Sequence, residues 1–171
     1  MPSPHPLVRQ LRFTRSEFIR GVKGISETDA HKRLLPMNCI SWNVGHLAWQ
    51  EQRYFLYYGQ GKMPFPDINE RFAYGAPANT PALSEVLAAW KEITAAADPW
   101  LETLTSEVLQ ANILRKDGQP GRRTFGSLLQ RVIYHYRYHT GENQAIRQML
   151  GHTRLPQFVG NIDTQAPYVP E

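Results

Sequence analysis

Cysteine is almost absent from this sequence: Cys39 is the one thiol in 171 residues. A lone thiol cannot close an internal disulfide, and it excludes the zinc modules built from paired cysteines. Long apolar runs are missing as well, since no window approaches the ~18 uninterrupted apolar residues of a membrane span. Strand-like alternation is hard to find anywhere along the chain. These absences predict a soluble, cytoplasmic, all-α protein. What is present is enough for a core: 42% apolar and 11% aromatic residues with 20% charged exclude a disordered or fibrous chain. The length suits one domain over residues 1–171 and is short for two.

Charge is unevenly spread around a net +4. Residues 1–50 hold 7 Lys/Arg against 3 Asp/Glu, residues 51–107 hold 4 against 8, and residues 108–154 hold 8 against 2. The basic N-terminal stretch (Arg9, Arg12, Arg15, Arg20) lacks an apolar core and a cleavage site, so it reads as mature protein rather than a targeting peptide. No nucleic-acid motif accompanies the basic regions, which are expected to be solvated helix faces, and no nucleic-acid partner is expected.

Helical periodicity organises the rest. Leu7, Leu11, Phe18 and Val22 form one stripe of a first helix that Gly24 stops. Ser26 and Asp29 resemble a capping box that opens a short turn ending before Pro36. Asn38 is the expected N-cap of a second long helix running from Cys39 to Tyr58. Residues 59–80 read as a long connection, able to carry the chain back along a bundle and leave helices two and three parallel. Thr80-Pro81 is the expected start of helix three. Its stripe is Leu83, Val86, Leu87, Trp90, Ile93, Ala97, Leu101 and Leu104, with a kink or restart expected at Asp98-Pro99. Asn112 to Arg123 reads as a polar loop. Thr124 caps a last helix from Phe125 to Leu150, closed by Gly151, with an irregular tail from His152 lying on the bundle or frayed. The predicted architecture is a four-helix bundle with a long crossover between helices two and three.

Three of the six histidines carry chemical information. His135 and His139 sit four residues apart, one turn apart on a helix face. With His135 at zero and ~100° per residue, His139 falls at about +40°, Glu142 at about -20°, and Leu128 and Ile146 at about +20°. Two imidazoles and a carboxylate on a stripe otherwise made of Leu128, Val132, Ile146 and Met149 need partners if buried. A metal ion supplies one; hydrogen bonds to each other or to Tyr134, Tyr136 or Tyr138 are the alternative. His46 stands mid-helix beside Gly45, and a glycine there marks a close approach. Cys39, Trp42, Gln50, Arg53 and Tyr57 fall within about 40° of His46. One histidine from helix two and two from helix four make a three-nitrogen set with an open position, as in catalytic sites. Zinc, nickel, iron and copper all suit such a set. His5, His31 and His152 fall outside it.

The Asn38–Tyr54 stretch with Gly45-His46, together with the run HYRYHTGENQAIRQMLG after Tyr134, resembles the DinB/YfiT-like superfamily of four-helix-bundle metalloenzymes. The resemblance covers nearly the whole chain, and its most specific element is His46 with His135 and His139. It implies a divalent metal at those positions, usually zinc or nickel, and often a homodimer. Characterised members of that superfamily include bacillithiol transferases, a mycothiol-dependent isomerase and the helical domain of ergothioneine-pathway enzymes. A thiol-dependent S-transferase or isomerase acting on a small thiol and an electrophile is therefore the expected activity, with Arg53 and Arg131 as carboxylate-binding candidates. The alternatives are hydrolysis through metal-bound water, with Glu142 as base or as the partner orienting a histidine, and a non-catalytic stress-response or binding module. Cys39 is either a ligand, a reactive thiol or a buried inert residue, the last being favoured. Trp42, Trp49 and Trp90 either line a pocket or pack the core.

Overall fold

The computed structural model describes residues 3–115, 117–157 and 159–170. Helices α1 (Pro6–Val22), α3 (Ile40–Glu51), α5 (Leu83–Leu101) and α7 (Phe125–Met149) are the four long elements. α3 packs on α5 and α7, and α1 packs on α7. Most of the predicted stripes point inward. Leu11, Phe18 and Val22 of α1, Val86, Ile93, Ala97 and Leu101 of α5, and Leu128, Val132 and Ile146 of α7 are buried in one core. Met149 is an exception, 64% exposed in the last turn of α7 where the bundle ends.

Local structure departs from the sequence reading at the starts of α3 and α5 and near the end of α5. Cys39, not Asn38, occupies the N-cap of α3, and its side chain makes no capping bond. α5 begins at Leu83 rather than at Pro81. Its first amides, Leu83 N and Ser84 N, donate to the Glu27 carboxylate at 2.7 and 3.0 Å. Glu27 belongs to α2 (Glu27–His31), which Ser26 caps as predicted by accepting from Asp29 N. An anion at a helix start satisfies free amides and opposes the helix dipole. Pro99 causes no restart: it lies in the final turn of α5, which runs on to Leu101.

Two further corrections bear on function. The long connection folds in part into α4 (Pro66–Phe72), which packs on α3. The polar stretch before the last helix is not a plain loop. After α6 (Ser106–Gln110) it forms an antiparallel pair, β1 (Asn112–Leu114) and β2 (Pro120–Thr124), with Gly118 at φ +78° in the turn. A Cβ on Gly121 would lie 2.8 Å from the Ile113 carbonyl oxygen, so this strand pairing requires glycine there. α3 also continues, without a break, into a π-helical segment, Gln52–Tyr58. The tail carries α8 (Ile162–Gln165) and docks on the bundle, where Gln10 Nε2 donates to Ala166 O at 2.7 Å and Gln144 Nε2 donates to Pro156 O at 2.9 Å.

A polar cluster crosses the core. Arg15 of α1 grips Glu51 of α3 through two nitrogens and donates to Asp98 of α5 at 2.7 Å. Tyr136 of α7 donates to Glu51 Oε1 at 2.7 Å, and Trp90 Nε1 donates to Tyr136 Oη at 2.5 Å. Burial alone would lower the Arg15 pKa, but the Glu51 carboxylate raises it above its ordinary value. Burial, with Glu51 nearby, raises that of the Tyr136 phenol. The guanidinium and phenol therefore keep their protons, and all four long helices are tied to one buried carboxylate.

Candidate metal centre

His46 is placed by α3, and His135 and His139 by successive turns of α7. Their rings converge: His46 lies 4.9 Å from His135 and 5.4 Å from His139, and His135 lies 4.6 Å from His139, centre to centre. One nitrogen from each ring falls within a set spanning at most 4.8 Å. Metal–nitrogen bonds of ~2.0–2.1 Å place ligand atoms about 3–4 Å apart, so an ion needs only a small inward adjustment of the rings.

The outer nitrogens fix which atoms face inward. Phe72 O lies 2.6 Å from His46 Nδ1, and a carbonyl can only accept, so Nδ1 carries the proton and Nε2 is a bare lone pair. Glu142 Oε2 lies 2.7 Å from His139 Nδ1 and sets the same tautomer there. Asn43 Nδ2 donates to that carboxylate oxygen at 2.9 Å and to Asn143 Oδ1 at 2.8 Å, so the carboxylate is itself held. His135 differs. Its Nε2 lies 3.0 Å from His139 Nε2, and its Nδ1 is buried without a hydrogen-bond partner. Because His139 Nε2 is a lone pair, the proton between the two rings sits on His135 Nε2, and no group among the described residues holds His135 Nδ1. Burial lowers the pKa of His46 to about 4 and that of His135 to about 3, so both are neutral at physiological pH. Three imidazoles with converging nitrogens, two of the rings oriented by oxygen acceptors, are a fitting donor set for a borderline divalent ion. The three histidines could hold such an ion.

The surroundings explain the aromatic residues. Trp42 and Trp49 stack on the two sides of His46, at 4.7 and 5.1 Å. Trp90 is not part of this site; it is bonded to Tyr136. Cys39 also lies elsewhere, buried with its Sγ 3.2 Å from Ser41 Oγ and 3.6 Å from the Asn79 carbonyl oxygen. His5 caps α1, His31 pairs with Glu27, and His152 lies between Arg147 and Asp29.

Above the histidines opens a cleft of about 670 Å³ lined by His46, His135, Gln50, Tyr54, Tyr134 and Tyr138, among others. Three arginines, Arg53, Arg123 and Arg131, complete its wall, and no carboxylate is among the described residues lining it. Arg53 lies over the Trp49 ring at 5.4 Å and donates to Tyr58 Oη. Gln50 Oε1 is buried without a partner beside this cleft. Tyr57, placed on the His46 face by α-helical phase, does not line the cleft; Tyr54 does. The π-helical segment accounts for this, because its wider turns accumulate a rotation that leaves Arg53 on the cleft side but carries Tyr57 off it.

A family model decides the relationship: that of the DinB superfamily matches residues 10–142, which include all three histidines and Glu142. The chain belongs to the DinB superfamily. No curated protein matches this DinB chain significantly. The sequence reading missed the Phe72 carbonyl, Asn43 and Arg123 of the DinB site. Only Gly45 hinted at the first: a Cβ there would lie 2.6 Å from the Phe72 ring, so the glycine admits α4 against His46.

Proposed function

We propose that this DinB protein is a metal-dependent, thiol-using S-transferase or isomerase, with zinc or nickel at His46, His135 and His139 and a low-molecular-weight thiol and an electrophile as substrates. The observation that carries the metal is the pair of tautomers set by the Phe72 carbonyl and Glu142, which leave the Nε2 of His46 and of His139 as lone pairs in a cluster whose three candidate ligand atoms lie within 4.8 Å of one another. A divalent ion bound by three neutral imidazoles supplies the positive charge that keeps a thiol in its thiolate form.

The chain's own residues supply binding and orientation. Arg53, Arg123 and Arg131 face the cleft without a lining carboxylate, which suits a co-substrate bearing carboxylates. Gln50 Oε1 offers a buried acceptor to a substrate N–H or O–H. Trp49 and Tyr54 wall the floor against bulk water.

Hydrolysis is less well supported, because a base must reach the cleft. Glu142 is engaged by His139 Nδ1 and Asn43 Nδ2 and is not among the residues lining the cleft. Its position is that of an orienting partner behind His139. The family resemblance adds a homodimer, and the lone cysteine suits a cytoplasmic setting; among the described residues no helix is long and apolar enough to cross a membrane.

The test is elemental analysis of protein purified without an affinity tag, followed by turnover assays pairing small thiols with electrophiles. Bound metal with thiol-dependent turnover is expected. Bound metal with no turnover for any pair favours a binding module, and metal-free protein that takes up neither zinc nor nickel removes the centre itself.

A further inference from the structure

A second cavity, of about 760 Å³, lies outside the three-histidine cleft, between the end of the π-helical segment and the β1–β2 pair. Its lining combines an apolar floor with cationic groups. Tyr57, Tyr58, Leu114 and Phe125 supply the apolar part, and Arg122 and Arg123 stand at its edge. Leu114 is 63% exposed and Tyr57 42% exposed, an unusual placement for large apolar side chains facing a concave surface. The Tyr57 and Tyr58 rings lie 5.4 Å apart at 51°, forming a two-ring wall.

The charges are also unspent. Arg115 of the same lining pairs with Asp117 at 3.1 Å, whereas Arg122 and Arg123 have no ion pair or hydrogen bond through their side chains among the described residues. No Asp or Glu is among the described residues lining the cavity. Two further features point to a built site. The π-helical turns re-aim Tyr57 and Tyr58 toward the strands, and such turns recur at functional sites. Gly121 permits the close approach of β2 to the Ile113 carbonyl, in a pairing that sets Leu114 opposite Pro120 and carries Arg122 and Arg123 along the same cavity wall.

We propose that this cavity binds an aryl-bearing organic anion, its ring seated on Tyr57, Tyr58, Leu114 and Phe125 and its carboxylate or phosphate held by Arg122 and Arg123. The volume falls in the ordinary range for small-molecule sites, and an apolar lining with a few convergent polar groups is their usual composition. Guanidinium groups bind both head groups through paired N–H donors. Arg123 also lines the metal-side cleft, and Tyr58 accepts from Arg53 of that cleft. The two compartments therefore share a wall, but none of the residues holding the aryl group is a candidate metal ligand.

Calorimetric titration of the full chain with 2-naphthoate and with 2-naphthyl phosphate tests this, with uncharged 2-naphthylmethanol as the control. Saturable one-to-one binding of at least one anion is expected, at least tenfold tighter than the alcohol. Arg122→Glu and Leu114→Asp should each weaken it tenfold or more. His135→Ala, which removes a candidate metal ligand, should leave it within about twofold, separating this site from the metal centre. Backbone amide shifts on adding the anion should centre on residues 57–61 and 112–125. Absence of saturable binding by both anions, equal binding of the alcohol, or full affinity in Arg122→Glu overturns the proposal. Loss of binding in His135→Ala places the ligand in the metal-side cleft and overturns it equally.

Discussion

Phe72 holds His46 through its backbone and fills the space beside Gly45 with its ring: the carbonyl oxygen lies 2.6 Å from His46 Nδ1, and a Cβ on residue 45 would lie only 2.6 Å from the ring. One residue of a short helix in the long connection thus sets both the fit of that helix and the tautomer of a candidate ligand. Gly45→Ala should force α4 outward. A loss of about 1–3 kcal/mol in unfolding free energy is expected from overpacking, with metal affinity reduced about 10–100-fold through the lost orienting bond. Urea midpoints and metal titrations measure the two effects, and an unchanged value in both contradicts the coupling.

Removal of ligands separates the candidate centre from the other histidines. His135→Ala and His139→Ala should lose most bound metal. His152→Ala should keep it while losing stability, because His152 accepts from Arg147 and lies 3.3 Å from Asp29 at the junction of α1, α2 and α7. Full metal occupancy in all three variants would falsify the assignment. Glu142→Gln should fall between them, with weakened metal binding and little change in fold.

Acid should destabilise the metal-free protein earlier than ordinary carboxylate titration would. His46 and His135 have folded-state pKa values of about 4 and about 3, below the ordinary 6.5, so the unfolded chain binds protons first as pH falls. Stability then declines from about pH 6.5 down to the folded values, each group adding at most about 1.4 kcal/mol per pH unit. Urea midpoints in chelator from pH 7 to 5 should drop, and His46→Phe should flatten the slope. An identical slope in that variant argues against a buried neutral His46.

The Arg15–Glu51 pair should behave as a buried ion pair. Glu51→Leu leaves the buried Arg15 guanidinium with only Asp98 among its described carboxylate partners and takes away the acceptor of the Tyr136 hydroxyl, and should cost about 3–5 kcal/mol. Arg15→Met with Glu51→Leu together should recover part of that loss. Thermal or urea unfolding distinguishes this from two additive surface changes.

The sequence alone determined the four long helices, since periodic apolar positions and end signals such as Gly24, Thr124 and Gly151 are local. It also placed His135, His139 and Glu142 together, because helical spacing fixes neighbours on one helix. The meeting of His46 with that pair was legible only as an inference from a polar stripe that needed a partner. The rest depended on long-range contacts that no local pattern encodes. Glu27 caps α5 from 56 residues away, and the Phe72 carbonyl orients His46 across 26 residues. Backbone acceptors have no sequence signature, and one π-helical segment progressively rotates the side chains after Gln52, so that Tyr57 leaves the phase that an ideal helix assigns. Tertiary packing therefore decided which nitrogen of each imidazole faces inward, which tyrosines face which cavity, and where the arginines of β2 come to rest.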